Sequence, residues 1–183
     1  MMCAVVGAPT TSNAGSPAAE LQRWHGNYQP TFTLPDSAGA EVALAAARGR
    51  IVLVHFFATW CEPCREELPA LNRLTARGKG NVTVLAISVA EVDLRVRRFL
   101  ETMPLDFPVL LDRDRAVVKA WNVSTLPTTV VLDADLRPRF VVEADFAWDG
   151  VDPARLAAMV ADRACEPRFS GDQFKTNVKQ GGG

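Results

Sequence analysis

Two apolar runs limit what this chain can fold into. One is Ile51-Val52-Leu53-Val54-His55-Phe56-Phe57, the other Val82-Thr83-Val84-Leu85-Ala86-Ile87-Ser88-Val89. Neither alternates apolar with polar residues, so each suits a strand buried on both faces rather than one with a wet side. Between them, from about residue 61 to 76, Leu68, Leu71 and Leu74 recur at helical spacing until Gly78 and Gly80 end the pattern. Strand, helix and strand in that order predict a β-α-β unit with parallel strands and a right-handed crossover. Where the first strand meets the helix stand Cys61 and Cys64.

The remaining elements extend that unit. Alternating residues at 31–34 and 41–44, around a Pro/Asp/Gly turn at 35–39, predict a small hairpin ahead of the core. Val92, Val96, Phe99 and Leu100 predict a helix over 92–103, followed by a strand at 107–111 and a short helix at 114–121. After the turn Ser124-Thr125-Leu126-Pro127 come strands at 128–133 and 139–143. A closing helix to about residue 163 has Asp152 as its cap, Pro153 in its first turn, and Leu156, Met159 and Val160 facing inward. The expected class is α/β, a central mixed sheet flanked by helices with an N-terminal β-hairpin extension. Residues 1–28 are expected to be a flexible lead or tether, since 10–20 are mostly small and polar, with 29–165 as the domain and 166–183 as a loose tail.

Composition narrows the function classes. Twenty lysines and arginines balance 21 aspartates and glutamates, which lacks the basic footprint of a nucleic-acid binder. No apolar stretch approaches the roughly 20 residues of a membrane span. Residues 1–8 lack the charged start and apolar centre of a complete secretory signal, so they do not fix the compartment.

Four cysteines are present, and only Cys61 and Cys64 have motif spacing. That spacing fits a redox pair or half of a zinc site, but zinc needs about four ligands, and His25 and His55 have no metal-ligand spacing to the pair. As a redox pair, the thiols must be activated, because the thiolate is the reactive form and a free thiol titrates near 8.5. Cys61 falls at a helix start, where unpaired N–H groups and the helix dipole favour the anion. Cys64 is one turn on and less accessible. Cys61 is therefore the expected nucleophile and Cys64 the resolving thiol. The alternative is a permanent disulfide or two inert core thiols. Glu67, three residues after Cys64 and on the face of Leu71 and Leu74, should project beneath the pair. Burial would raise its pKa, and its charge would raise that of a neighbouring thiol. The bland alternative is a solvated first-turn acid, as Glu66 is read.

Trp60-Cys61-Glu62-Pro63-Cys64 after an apolar strand, with Leu126-Pro127-Thr128-Thr129 some sixty residues later, resembles the thioredoxin superfamily. Within it the chain is similar to the TlpA/ResA-like extracytoplasmic thiol-disulfide oxidoreductases, over about residues 31–163. The Glu62-Pro63 dipeptide has the form typical of that group's cytochrome c maturation reductases. The resemblance implies a thioredoxin-like fold, a cis Leu126–Pro127 peptide against the disulfide, and substrate contacts from Trp60, Glu62, Pro63 and Leu126. It places the family's active-site glutamate at Glu67 and another acidic position at Glu91. Residues 145–153, with Trp148 and Asp149, resemble the family's approach to its last helix, without the glycine usual there. His55 departs from the family, which carries asparagine or aspartate at this point. A histidine there would titrate near the operating pH and tune the site, or serve only as a hydrogen-bonded core residue. Some relatives join their two ends by a second disulfide, a role open to Cys3 and Cys165. The rivals are a lipid-bearing or signal-derived Cys3 and a free Cys165.

The function so implied is a monomeric, extracytoplasmic protein-disulfide reductase without metal or organic cofactor, in the periplasm or tethered to a membrane. Its substrates would be cysteine pairs of apocytochrome c or copper-site assembly proteins, and a membrane-embedded thiol donor would recycle it. The alternatives are an oxidase or isomerase on the same fold and, from another class, a Cu(I)-binding chaperone.

Overall fold

A computed structural model describes residues 20–26 and 31–162. Eight strands and four α-helices follow one another as β1 (Gln22–Arg23), β2 (Thr33–Pro35), β3 (Glu41–Ala43), β4 (Ile51–Phe57), α1 (Glu62–Arg77), β5 (Val82–Val89), α2 (Asp93–Thr102), β6 (Val109–Asp112), α3 (Ala116–Ala120), β7 (Thr128–Leu132), β8 (Pro138–Val142) and α4 (Pro153–Ala161). The main sheet has the order β1-β8-β7-β4-β5-β6. β4, β5 and β6 are parallel, while β7 is antiparallel to β4 and to β8. This is the thioredoxin-like fold, a mixed sheet between two layers of helix.

The apolar runs dictate the centre. All seven residues of β4 are buried, and its side chains alternate between two cores. Ile51, Leu53 and Phe57 meet Leu68, Leu71 and Leu74 of α1 on one face. Val52, Val54 and Phe56 meet Leu110, Val118 and Trp121 on the other. Fully burying such a side chain stabilises by about 1.5–3 kcal/mol, so the centre of the sheet is a firm platform for the turn that follows β4. α1 continues through Pro69, which removes one intrahelical donor; packing of its apolar stripe outweighs that loss.

Both sheet edges are covered. The β2–β3 turn, in which Asp36 Oδ1 accepts from the N–H groups of Ala38 and Ala40, docks on β6 through Ser37 N–H and Val109 C=O at 2.9 Å. At the other edge β1 pairs with β8, Gln22 opposite Val141 and Arg23 opposite Phe140. The expected flexible lead is corrected at Gln22 and Arg23, which form a strand. Gln22 and Arg23 carry no apolar alternation, and what holds them is the free edge of β8. The strand expected at 107–111 lies at Val109–Asp112, and the short helix is Ala116–Ala120, because Asp112 stays in the strand and caps the helix from there. Asp152 caps α4 as expected, its Oδ1 accepting from Arg155 N–H at 2.8 Å. Among the described residues no helix is long and apolar enough to cross a membrane.

Candidate active site

β4 ends at Phe57, and the four residues that follow turn the chain into α1 with Cys61 as the N-cap. Cys61 and Cys64 form a disulfide, with S–S 2.02 Å and Cα–Cα 5.3 Å. Cys64 is fully buried and Cys61 keeps 6% of its surface. Cys61 is the more accessible sulfur, yet far less exposed than the expected roles suggest. The group displayed to solvent is Trp60, at 67% exposure. Glu62 and Pro63 start the helix, and a proline in this first turn sacrifices no helical hydrogen bond.

The turn is fixed from below by Glu91, which is 7% exposed. Its Oε2 accepts from Thr59 N–H and Ser88 Oγ–H, both at 2.8 Å, and its Oε1 from Thr59 Oγ–H. Three donors on one buried carboxylate pin the residues leading into Cys61. Removing that carboxylate leaves those donors unpaired, so Glu91→Ala is expected to lower stability by about 2–4 kcal/mol. Chemical denaturation measures the loss, and faster alkylation of reduced Cys61 reports the loosened turn.

Opposite the pair, Leu126–Pro127 is a cis peptide. Thr128 Oγ–H donates to Thr125 C=O at 2.8 Å and closes this loop. Leu126 lines an open groove together with Trp60, Cys61, Pro63, Val89 and Arg115.

On the inner face of α1, Glu67 is 4% exposed. Its Oε1 accepts from Phe146 N–H and from Trp148 Nε1–H, each at 2.8 Å, while Oε2 has no partner. Burial pushes the carboxyl from its ordinary 4.5 up to about 7, against the pull of those two hydrogen bonds; nearby Asp145 adds to the rise. Glu67 is thus a buried acid poised near neutrality, and the solvated alternative does not hold for it. The turn supplying its donors is tied to α1 by Arg73, bidentate to Asp149 at 2.8 and 2.6 Å, and by Arg77 on the carbonyls of Trp148, Asp149 and Val151. Sequence reasoning noticed Trp148 and Asp149 only as a resemblance. In the structure the Trp148 indole N–H finds its acceptor in Glu67, a pairing that nothing local to either residue announces.

His55 lies in the middle of β4, fully buried, with Nδ1 2.9 Å from Thr129 Oγ and its ring stacked on Phe57 at 6.1 Å between centroids. Complete burial pulls the imidazole from its ordinary 6.5 down to about 3. Of the two roles open to it, the core one fits these surroundings, since the buried imidazole is neutral throughout the operating range. His55→Asn is expected to leave the pH midpoints of thiol alkylation unchanged while lowering stability by about 1–3 kcal/mol. Alkylation rates across pH 5–9, with denaturant curves, test both halves. Cys3 and Cys165 lie outside the described residues.

Comparison with known proteins agrees with this geometry. The AhpC/TSA family model matches residues 25–139. The thiol-disulfide oxidoreductase ResA of Geobacillus kaustophilus is 41% identical over 128 residues, covering 69% of this chain and 74% of that protein. ResA of Bacillus subtilis is 36% identical over 111 residues, 60% of this chain and 62% of the relative. Among solved structures, a thiol:disulfide interchange protein DsbE from Chlorobium tepidum superposes with a TM-score of 0.61 at 27% identity, over 76% of this chain and 94% of that one. A secreted disulfide oxidoreductase of Mycobacterium tuberculosis superposes at 0.58 and 27%, over 71% and 94%. With the helix-start cysteine pair and the cis-proline loop on one groove, these likenesses place the chain in the AhpC/TSA family, as a ResA-like thiol-disulfide oxidoreductase of thioredoxin fold.

Proposed function

We propose that the chain acts outside the cytoplasm as a protein-disulfide reductase, with Cys61 as nucleophile, Cys64 as resolving thiol and Glu67 as the acid that serves them. The Cys61 thiolate attacks one sulfur of a substrate disulfide; that bond breaks, and the other substrate sulfur leaves as a thiolate and takes a proton. Cys64 then attacks the Cys61 sulfur of the mixed disulfide and releases the second substrate thiol. Two electrons and two protons pass to the substrate, and the protein is left as the Cys61–Cys64 disulfide. Return to the dithiol needs a two-electron thiol donor, which in an oxidising compartment must be supplied across or from the membrane.

The observation that carries the reducing direction is the Glu67 carboxyl, buried one turn beyond Cys64 on the same helix. A strong disulfide oxidant works because its reduced, thiolate form is stabilised. A carboxylate beneath the pair does the opposite once it ionises, raising the thiol pKa and withholding that stabilisation. The chain works as a monomer. Its substrates are cysteine pairs in proteins awaiting cofactor insertion, apocytochrome c or copper-site assembly proteins. The names of the relatives support the redox class, and the secreted Mycobacterium tuberculosis protein supports the compartment.

Cys64→Ala tests the reading in cells, because it removes the step that releases substrate. A mixed disulfide between Cys61 and an apocytochrome or copper-assembly protein is the expected product. Recovery of no disulfide-linked partner, where the wild type cycles, overturns it.

A further inference from the structure

Charge is unevenly distributed in the groove over Cys61. Its walls are largely apolar, and two charged side chains reach the lining, Glu62 and Arg115. Glu62 is paired with Arg65 at 3.0 Å. Arg115 has no such partner among the described residues, and the acids beside it in sequence are engaged elsewhere. The Asp112 carboxylate accepts from Val117 N–H at 3.1 Å and Val118 N–H at 2.9 Å. Asp114 Oδ1 accepts from Ala116 N–H at 3.0 Å, and Asp93 is held by Arg113 at 2.7 Å through both oxygens. The backbone of Arg115 is left-handed, φ 64° and ψ 22°, a conformation that glycine adopts more easily. A position suited to glycine on backbone grounds thus carries an unneutralised guanidinium at the edge of a groove that opens on the attacking sulfur.

We propose that Arg115 is a specificity-determining residue, selecting protein substrates that carry aspartate or glutamate beside the cysteine pair on an otherwise apolar segment. The assignment rests on the protein-disulfide reading above. Complementarity is of two kinds: apolar residues of the substrate cover Trp60, Pro63 and Leu126, and the acidic residue meets the guanidinium at the rim. Five N–H donors in a planar fork suit a carboxylate better than any neutral side chain. A rim pair of this sort remains hydrated, so its effect is modest, lies mainly in encounter, and weakens as salt rises.

The test uses the full chain in its reduced form and three disulfide-closed peptides identical except for the residues flanking the cysteine pair, glutamate, glutamine or lysine. Rates of peptide reduction are followed by quenched chromatography at low salt. The wild type should prefer the glutamate peptide to the glutamine peptide by about threefold to fivefold, should reduce the lysine peptide slowest, and should lose the ranking in 0.5 M salt, well beyond the screening length. Arg115→Gln should flatten the ranking, Arg115→Glu should reverse it, and Arg115→Lys should keep its order with a smaller spread. Equal wild-type rates on all three peptides, or a glutamate preference that survives in Arg115→Glu, would overturn the assignment while leaving the reductase reading intact. If the wild type reduced a small-molecule disulfide but none of the peptides, the reading as a protein-disulfide reductase would fall, and the Arg115 assignment with it.

Discussion

Cys61→Ser is expected to lose disulfide reduction by roughly three orders of magnitude or more, as removal of a nucleophile does when no neighbouring group substitutes for it. Cys64→Ser should behave differently: the first attack survives, the mixed disulfide accumulates, and turnover stops after one equivalent. The asymmetry follows from position. Cys61 caps α1 and keeps a trace of exposure, whereas Cys64 is fully buried against the core. Rapid-quench mass analysis separates the two outcomes. Equal trapping by both variants would mean that either sulfur reaches substrate, which the burial of Cys64 forbids.

Glu67→Gln should give the clearest effect on pH dependence. The wild-type carboxyl titrates near its ordinary 4.5 in the unfolded chain and at about 7 in the folded one. Between those values the folded protein holds the extra proton, so this group's stabilising contribution is complete below 4.5 and is lost as pH rises through 7. At about 1.4 kcal/mol per pKa unit, the loss reaches about 3 kcal/mol at most. Glutamine keeps an oxygen to accept from Phe146 and Trp148 and does not titrate. The variant should therefore match the wild type near pH 4.5 and exceed it at pH 8, as read by denaturant midpoints at the two values. A wild-type-to-variant difference that stays constant with pH would show that Glu67 does not titrate in this window. In the reduced protein the same substitution should lower the Cys64 thiol pKa, since a negative charge one turn along the same helix is gone. Glu67→Leu removes the acceptor as well, and its additional instability measures the two stranded donors.

Much of this was legible in the sequence, and the exceptions share a cause. The uninterrupted apolar runs of β4 and β5 required burial on both faces, and burial on both faces required helices above and below. The cysteine pair, the Leu126–Pro127 turn and the inward placement of Glu67 follow from local spacing. Cooperation between distant elements does not. Nothing near residue 67 indicates that its donors come from Phe146 and Trp148, or that Arg73 and Arg77 hold that turn. Glu91 was placed near the site by resemblance alone; its three bonds to Thr59 and Ser88 give it a physical role in fixing the turn. β1 was missed because two polar residues become a strand only when another strand offers them an edge. For His55 the sequence left two roles open, and its surroundings fit the core one: a residue with no exposed surface between β5 and β7 has no water to stabilise a charge.

Whether Cys61 and Cys64 reduce protein disulfides, as proposed, is decided by their equilibrium reduction potential. The protein is equilibrated at pH 7 with thiol–disulfide buffers of known poise, and the fraction of Cys61–Cys64 disulfide is read by alkylation and mass. A potential close to that of a reducing thioredoxin, about −270 mV, is expected. A value near −120 mV, typical of a strong disulfide oxidant, would mean that the reduced form is stabilised despite Glu67 and that the pair is not a reductant.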